Sequence, residues 1–161
     1  MPTGISSLWH SNTLVSYCVS DLKLDRIREL AASIRRAVHE LRSLGSVPEA
    51  DFLADSKAVN SAKYLLIVAC EACIDICNHI AARRGGRAPE DYPDCFQVLR
   101  EMKVIGDGLA VRLTRMVRFR NLLVHLYWKV DDARVYRTIR EDLGDFESYL
   151  TALGGYLAAE V

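Results

Sequence analysis

The stretch Leu65-Leu66-Ile67-Val68-Ala69-Cys70-Glu71-Ala72-Cys73-Ile74-Asp75-Ile76-Cys77-Asn78-His79-Ile80 decides the architecture. Wound at about 100° per residue, Leu65, Leu66, Ala69, Ala72, Cys73, Ile76, Cys77 and Ile80 make one wide apolar face. Opposite them lie Tyr64, Glu71, Asp75 and Asn78, with His79 at the margin. Ile67, Val68 and Ile74 flank that polar stripe, so water alone does not cover it. A helix apolar almost all round is central to its domain or is covered by a second subunit. Glu71 and Asp75, four residues apart on this helix, are then natural partners for a cation from a neighbouring element.

Working outward, the pattern stays helical. A first helix is expected from Leu22 to Leu44, with Asp21 as N-cap and Gly45 as the stop. The central helix extends from Glu49 to Arg84, with Pro48 at its entrance and Gly85-Gly86 at its end. A loop with two prolines, Arg87 to Pro93, leads to a helix over Asp94 to Val104. Gly106-Asp107-Gly108 breaks the chain before a fourth helix, Leu109 to Tyr127. A fifth, capped by Asp131 or Asp132, reaches toward Ala158 and is loosened at Gly144 and Gly154-Gly155. No repeat, low-complexity segment or convincing strand stands out. The expected fold is an all-α bundle of about five helices. Residues 1–20 read as an N-terminal arm whose order the pattern leaves open, with a short element around Leu14 to Cys18. Residues 21–161 read as a single domain.

The chain has 161 residues, half of them apolar, enough for one core. Lys plus Arg and Asp plus Glu balance at 21 each, so no global field draws in nucleic acid or an anionic membrane. Phosphate binding must be local. No run approaches the ~18 apolar residues of a membrane span, and Met1 to Ser20 lacks the pattern of a signal peptide. Five cysteines without disulfide-framework spacing favour a reducing, cytoplasmic location.

Chemistry concentrates in Phe119-Arg120-Asn121-Leu122-Leu123-Val124-His125-Leu126-Tyr127-Trp128. Leu109, Leu113, Met116, Val117, Leu123 and Val124 share one helix face, and Arg120 falls near its middle. An unpaired guanidinium buried there would cost several kcal/mol, roughly, so it needs a partner or a job. Arg120 with His125 joins a permanent cation to the side chain that titrates near neutral pH, a fitting pair for a phosphodiester. A structural ion pair beside a satisfied histidine fits the same residues. Five residues are about 140° and 7.5 Å apart on an ideal helix, so the two side chains do not aim at one atom from a straight face. A two-fold dimer along this helix would bring two copies of each together.

Other groupings carry less. Cys70, Cys73 and Cys77, with His79 nearby, lie in or beside the apolar face and read as small hydrophobes rather than zinc ligands. Arg112, Arg115 and Arg118 form a basic edge that reads first as solvated surface, and second as a guide for an RNA backbone. Tyr127 and Trp128 suit base stacking but equally suit packing.

Arg120 to Tyr127, followed by Trp128-Lys129-Val130-Asp131, resembles the signature of the HepT-like proteins. These are minimal HEPN-domain ribonucleases and the toxin half of HepT/MNT toxin–antitoxin pairs. Glu71 to Ile80 resembles that family's second helix, and the resemblance covers Asp21 to Leu153. It implies a HEPN-type bundle dimerising along the motif-bearing helices, a metal-independent endoribonuclease without cofactor, and RNA as substrate. Arg120 and His125 would be the catalytic pair and Asn121 their polar support. Apart from the resemblance, the stripe residues Glu71 and Asp75 are expected close to Arg120 as site support, since a half-buried carboxylate and a cation on an apolar face each need a partner. Tyr127 would receive AMP from an MNT-type nucleotidyltransferase antitoxin. A reading from another class is a non-catalytic helical subunit that binds a nucleotide or presents substrate to a nucleotidyltransferase.

Overall fold

The structure, a computed structural model, describes residues 23–159. Among them there is no strand, and seven α-helices follow in order: α1 Leu24–Gly45, α2 Glu49–Ala54, α3 Ser56–Arg83, α4 Asp94–Glu101, α5 Asp107–His125, α6 Asp132–Glu141 and α7 Gly144–Ala159. One 3-10 turn, Tyr127–Lys129, joins α5 to α6. The expectations for residues 1–20 and for Asp21 as a cap lie outside the described residues.

The central helix is α3. Leu66, Ala69, Cys73, Ile76, Cys77 and Ile80 are fully enclosed, while Ile67 and Val68 are half-buried and Tyr64 is exposed. α1 packs along it through Ile27, Leu30, Ile34, Val38 and Leu41, which recur three or four residues apart. α4, α5 and α6 close the remaining sides. Tyr149 of α7 is wholly buried and donates its hydroxyl to the Cys73 carbonyl at 3.1 Å, so the deepest phenol is satisfied. By length and composition, α3 could cross a membrane, with a mean hydropathy of 1.7 over its most apolar window. This corrects the expectation drawn from uninterrupted apolar runs. Yet 61% of that window is buried inside the bundle, as a core helix requires.

Four boundaries differ from the sequence reading, each for a local reason. The single helix from Glu49 to Arg84 is two, because Asp55 leaves helical geometry at φ −102°, ψ 96°. Its carboxylate then accepts from the backbone N–H groups of Lys57 and Ala58 at 2.9 and 3.3 Å, an N-cap for α3. The helix expected over Asp94 to Val104 stops at Glu101, because Lys103 turns left-handed at φ 60° and the Val104 N–H reaches back to Leu99 O at 2.9 Å. The motif helix ends at His125, not Tyr127: Leu126 leaves helical geometry and Tyr127 enters the 3-10 turn. The fifth helix is broken at Asp142-Leu143 into α6 and α7, whereas Gly154-Gly155 sits inside an unbroken α7.

Two glycines do close α3 as expected. Gly85 takes φ 72° and the Gly86 N–H bonds to Ala81 O at 3.0 Å, a left-handed stop that suits glycine. A Cβ on Gly86 would meet Met102 Sδ at 2.5 Å, so a side chain here would have to displace the end of Met102. Asp131 caps α6 by accepting from Ala133 N–H at 3.1 Å.

Candidate active site

Arg120 leaves α5 on its buried side, beside Met116, Val117 and Leu123, and is only 8% exposed. Its guanidinium is not unpaired. One terminal nitrogen, Nη2, forms an ion pair with Glu71 Oε1 of α3. The other, Nη1, donates to Asn121 Oδ1 at 2.9 Å. Cζ lies over the Tyr92 ring, 5.0 Å from its centroid. Nε is buried with no protein partner. Burial lowers the Arg120 pKa, with the Cys70 thiol pulling weakly the other way. Cys70 lies close enough to feel this charge. Its thiol is nonetheless pushed up to about 12 by burial, with Arg120 pulling the other way, so it stays protonated and is no nucleophile.

Of the two carboxylates read from the stripe on α3, Glu71 takes the arginine. Asp75 is exposed and pairs with Arg26 of α1 at 3.8 Å. The difference follows from helix geometry, since four residues displace Asp75 about 6 Å along the axis and Arg26 lies at that level. His125, the last residue of α5, is exposed. Arg120's contacts do not include it, as their angular separation on one helix dictates. Tyr127 is 62% exposed and meets Trp128 edge-on, with centroids 5.2 Å apart. The site therefore has a buried, clamped cation and, one helix end away, an accessible imidazole and phenol.

The basic edge on α5 is not uniform. Arg112 is tied to Asp145 at 2.6 Å, and burial raises the pKa of Asp142, with Arg115 only partly offsetting it. Arg112, Arg115 and Arg134 line a cavity of about 180 Å³ with these two carboxylates, and the Arg134 guanidinium lies 4.5 Å from the Phe119 ring centroid. Cys73 and Cys77 are core side chains like Cys70, and Cys77 Sγ–H donates to the Cys95 carbonyl at 3.0 Å. Tyr92 was not singled out from sequence. It sits in a loop without periodicity, and only the fold carries it to Arg120.

The Glu71 pair makes a prediction of its own. Glu71→Ala removes the counter-charge while the guanidinium stays buried, and one side-chain amide does not replace a carboxylate. Losing one partner of a buried pair costs about 3–5 kcal/mol. Glu71's side chain is 35% exposed, so water already screens the pair, and about 2 kcal/mol is expected. Urea unfolding of wild type and Glu71→Ala measures it. An unchanged midpoint would show that the pair contributes nothing.

The all-α bundle that carries Arg120 and His125 on one helix agrees with the HEPN-type fold that the motif's resemblance implies. The family model described as Ribonuclease HepT-like matches residues 34–153. The chain belongs to that family. It is similar to the mRNA nuclease HepT of Shewanella oneidensis, at 30% identity over 136 residues, covering 84% of this chain and 98% of the relative. The tRNA nuclease HepT of Aphanizomenon flos-aquae is 25% identical over 125 residues, covering 77% of this chain and 84% of the relative. Among solved structures, the tri-AMPylated Shewanella oneidensis HEPN toxin in complex with MNT antitoxin matches with a TM-score of 0.76 at 29% identity, over 81% of this chain and 98% of that one.

Proposed function

We propose that this chain is an endoribonuclease toxin that works as a homodimer and is silenced by an MNT-type nucleotidyltransferase antitoxin through AMP on Tyr127. The observation that carries this reading is the clamped Arg120, held by Glu71 and Asn121 a helix turn and a half before an exposed His125. The names of the relatives, an mRNA nuclease and a tRNA nuclease, support it.

The reaction is a transesterification. A ribose 2′-hydroxyl gives up its proton and its oxygen bonds to the adjacent phosphorus. The bond from phosphorus to the 5′-oxygen breaks, and that oxygen takes up a proton. The products are a 2′,3′-cyclic phosphate and a 5′-hydroxyl. His125 moves the proton, which its accessible position at the helix end permits. Arg120 neutralises charge on the non-bridging oxygens through N–H groups left over from Glu71 and Asn121. Asn121 fixes the guanidinium by accepting from Nη1, so its part is support. Glu71 holds the cation from the other side. Pairing two subunits along α5 would set His125 of one across from Arg120 of the other, which removes the angular mismatch within one helix.

Because the nucleophile is the 2′-oxygen, an RNA with a single 2′-deoxyribose at the scissile position should resist cleavage there. Its all-ribose twin should yield 2′,3′-cyclic phosphate ends. Equal cleavage of both would reject the transesterification. Absence of cleavage of any RNA would leave the non-catalytic, substrate-presenting reading in its place.

A further inference from the structure

We infer that Tyr92 is a positioning residue for Arg120: the guanidinium carbon sits over its ring, and this contact fixes where the guanidinium stands when it meets a phosphate. This rests on the reading of Arg120 as the phosphate-contacting group.

The guanidinium is restrained in its own plane by Glu71 at Nη2 and by Asn121 at Nη1. Two in-plane contacts on adjacent terminal nitrogens still allow it to tip out of that plane. Cζ sits over the Tyr92 ring, 5.0 Å from its centroid, so the ring blocks movement toward it, and a cation over an aromatic face is also attracted electrostatically. Each terminal nitrogen keeps one further N–H, whose direction depends on that tilt, while Nε is buried and partnerless and adds no restraint of its own.

Tyr92 is itself held by a fastened loop. Arg87 grips Asp94 with two bonds of 2.6 and 2.8 Å, and Glu101 with two more of 2.9 and 3.1 Å. This network draws the Asp94 pKa down to about 2, through Arg87 first and the Glu90 N–H second. The Asp94 carboxylate accepts from Glu90 N–H at 2.9 Å, and Asp91 accepts from Asp94 N–H at 2.8 Å. The Tyr92 carbonyl accepts from Cys95 N–H at 3.2 Å. Pro93, the next residue, has a fixed φ, and its carbonyl takes the Thr114 hydroxyl of α5 at 3.5 Å. The loop is thus bound to α4 on one side and to the motif helix on the other, with Tyr92 between. That much fastening around an aromatic side chain still 43% exposed does little for the core. It does fix where the ring stands.

The test pairs turnover with a direct view of the guanidinium. A cation–π contact of this kind corresponds to about 3–30-fold in rate if it is made fully in the transition state. Tyr92→Ala should lower kcat by that factor with KM little changed, and Tyr92→Phe, which keeps the ring, should recover most of the loss. In ¹H–¹⁵N spectra, the Arg120 Nε–H resonance, identified by its disappearance in Arg120→Lys, should be ring-shifted upfield in wild type and in Tyr92→Phe. It should move downfield in Tyr92→Ala. Wild-type kcat in Tyr92→Ala, equal damage in the Phe and Ala variants, or an Arg120 resonance indifferent to Tyr92 would each overturn the inference. Should wild type cleave no RNA, the ribonuclease reading falls, and the spectrum alone still decides whether Tyr92 positions Arg120.

Discussion

His125→Ala is expected to slow RNA cleavage by about 10²–10⁴-fold, the usual contribution of a positioned acid–base group, while leaving the fold intact. His125 is exposed at the last residue of α5, so its removal empties no core space and orphans no buried partner. Arg120→Ala should cost about 10²–10³-fold, in the range seen when one group stabilising a developing oxyanion is lost. Its structural consequence should also be mild. The partner left behind, Glu71, is about one-third exposed and can be hydrated, whereas the reverse deletion strands a buried cation. The pair of substitutions is therefore asymmetric: removing Glu71 is read in stability, and removing Arg120 or His125 is read in turnover. Single-turnover cleavage of a defined RNA, with circular dichroism on the same samples, checks this. A folded His125→Ala that cleaves near the wild-type rate would end the catalytic assignment.

Tyr127→Phe is expected to leave a fully toxic nuclease that the antitoxin no longer silences by modification. The phenol is well placed for a modifying enzyme, since it is 62% exposed and stands in the 3-10 turn after α5, two residues past His125. Its hydroxyl oxygen would bond to the α-phosphorus of ATP, pyrophosphate would leave, and the phenolic proton would be lost. The product carries a purine and about one negative charge. α5 ends at His125, so Tyr127 stands in the turn beyond the helix. Adenylate at this position would act by covering the helix end that bears His125. Phenylalanine keeps the ring and its edge contact with Trp128 and lacks only the acceptor oxygen. Mass spectrometry after incubation with antitoxin and ATP, followed by a cleavage assay, reads both halves. Adenylation and silencing of the Phe variant would place the modified residue elsewhere.

Much of the fold was legible because α3 announces itself. Its apolar faces leave a polar stripe too narrow for a surface helix, and a buried cation on α5 together with a carboxylate on α3 called for each other. Glu71 and Arg120 meet for that reason. The breaks at Asp55 and Lys103 were harder to see, because neither carries the glycine or proline that usually marks a stop. In one case a side-chain cap and in the other a left-handed lysine ended the helix, and tertiary context decided between those and continuation. Asp75 shares the stripe with Glu71, and pattern alone does not tell which level of α3 faces α5 and which faces Arg26 of α1. Tyr92 was beyond reach. A loop aromatic has no period, and its contact with Arg120 exists only once α4 and α5 have packed.

The most direct measurement is incubation of purified wild type and His125→Ala with total RNA in the presence of EDTA, followed on a denaturing gel. The proposed chemistry gives fragments with wild type, in which the protein's own imidazole and guanidinium handle proton and charge, and intact RNA with the variant. Cleavage by both proteins, or cleavage by neither, would contradict it.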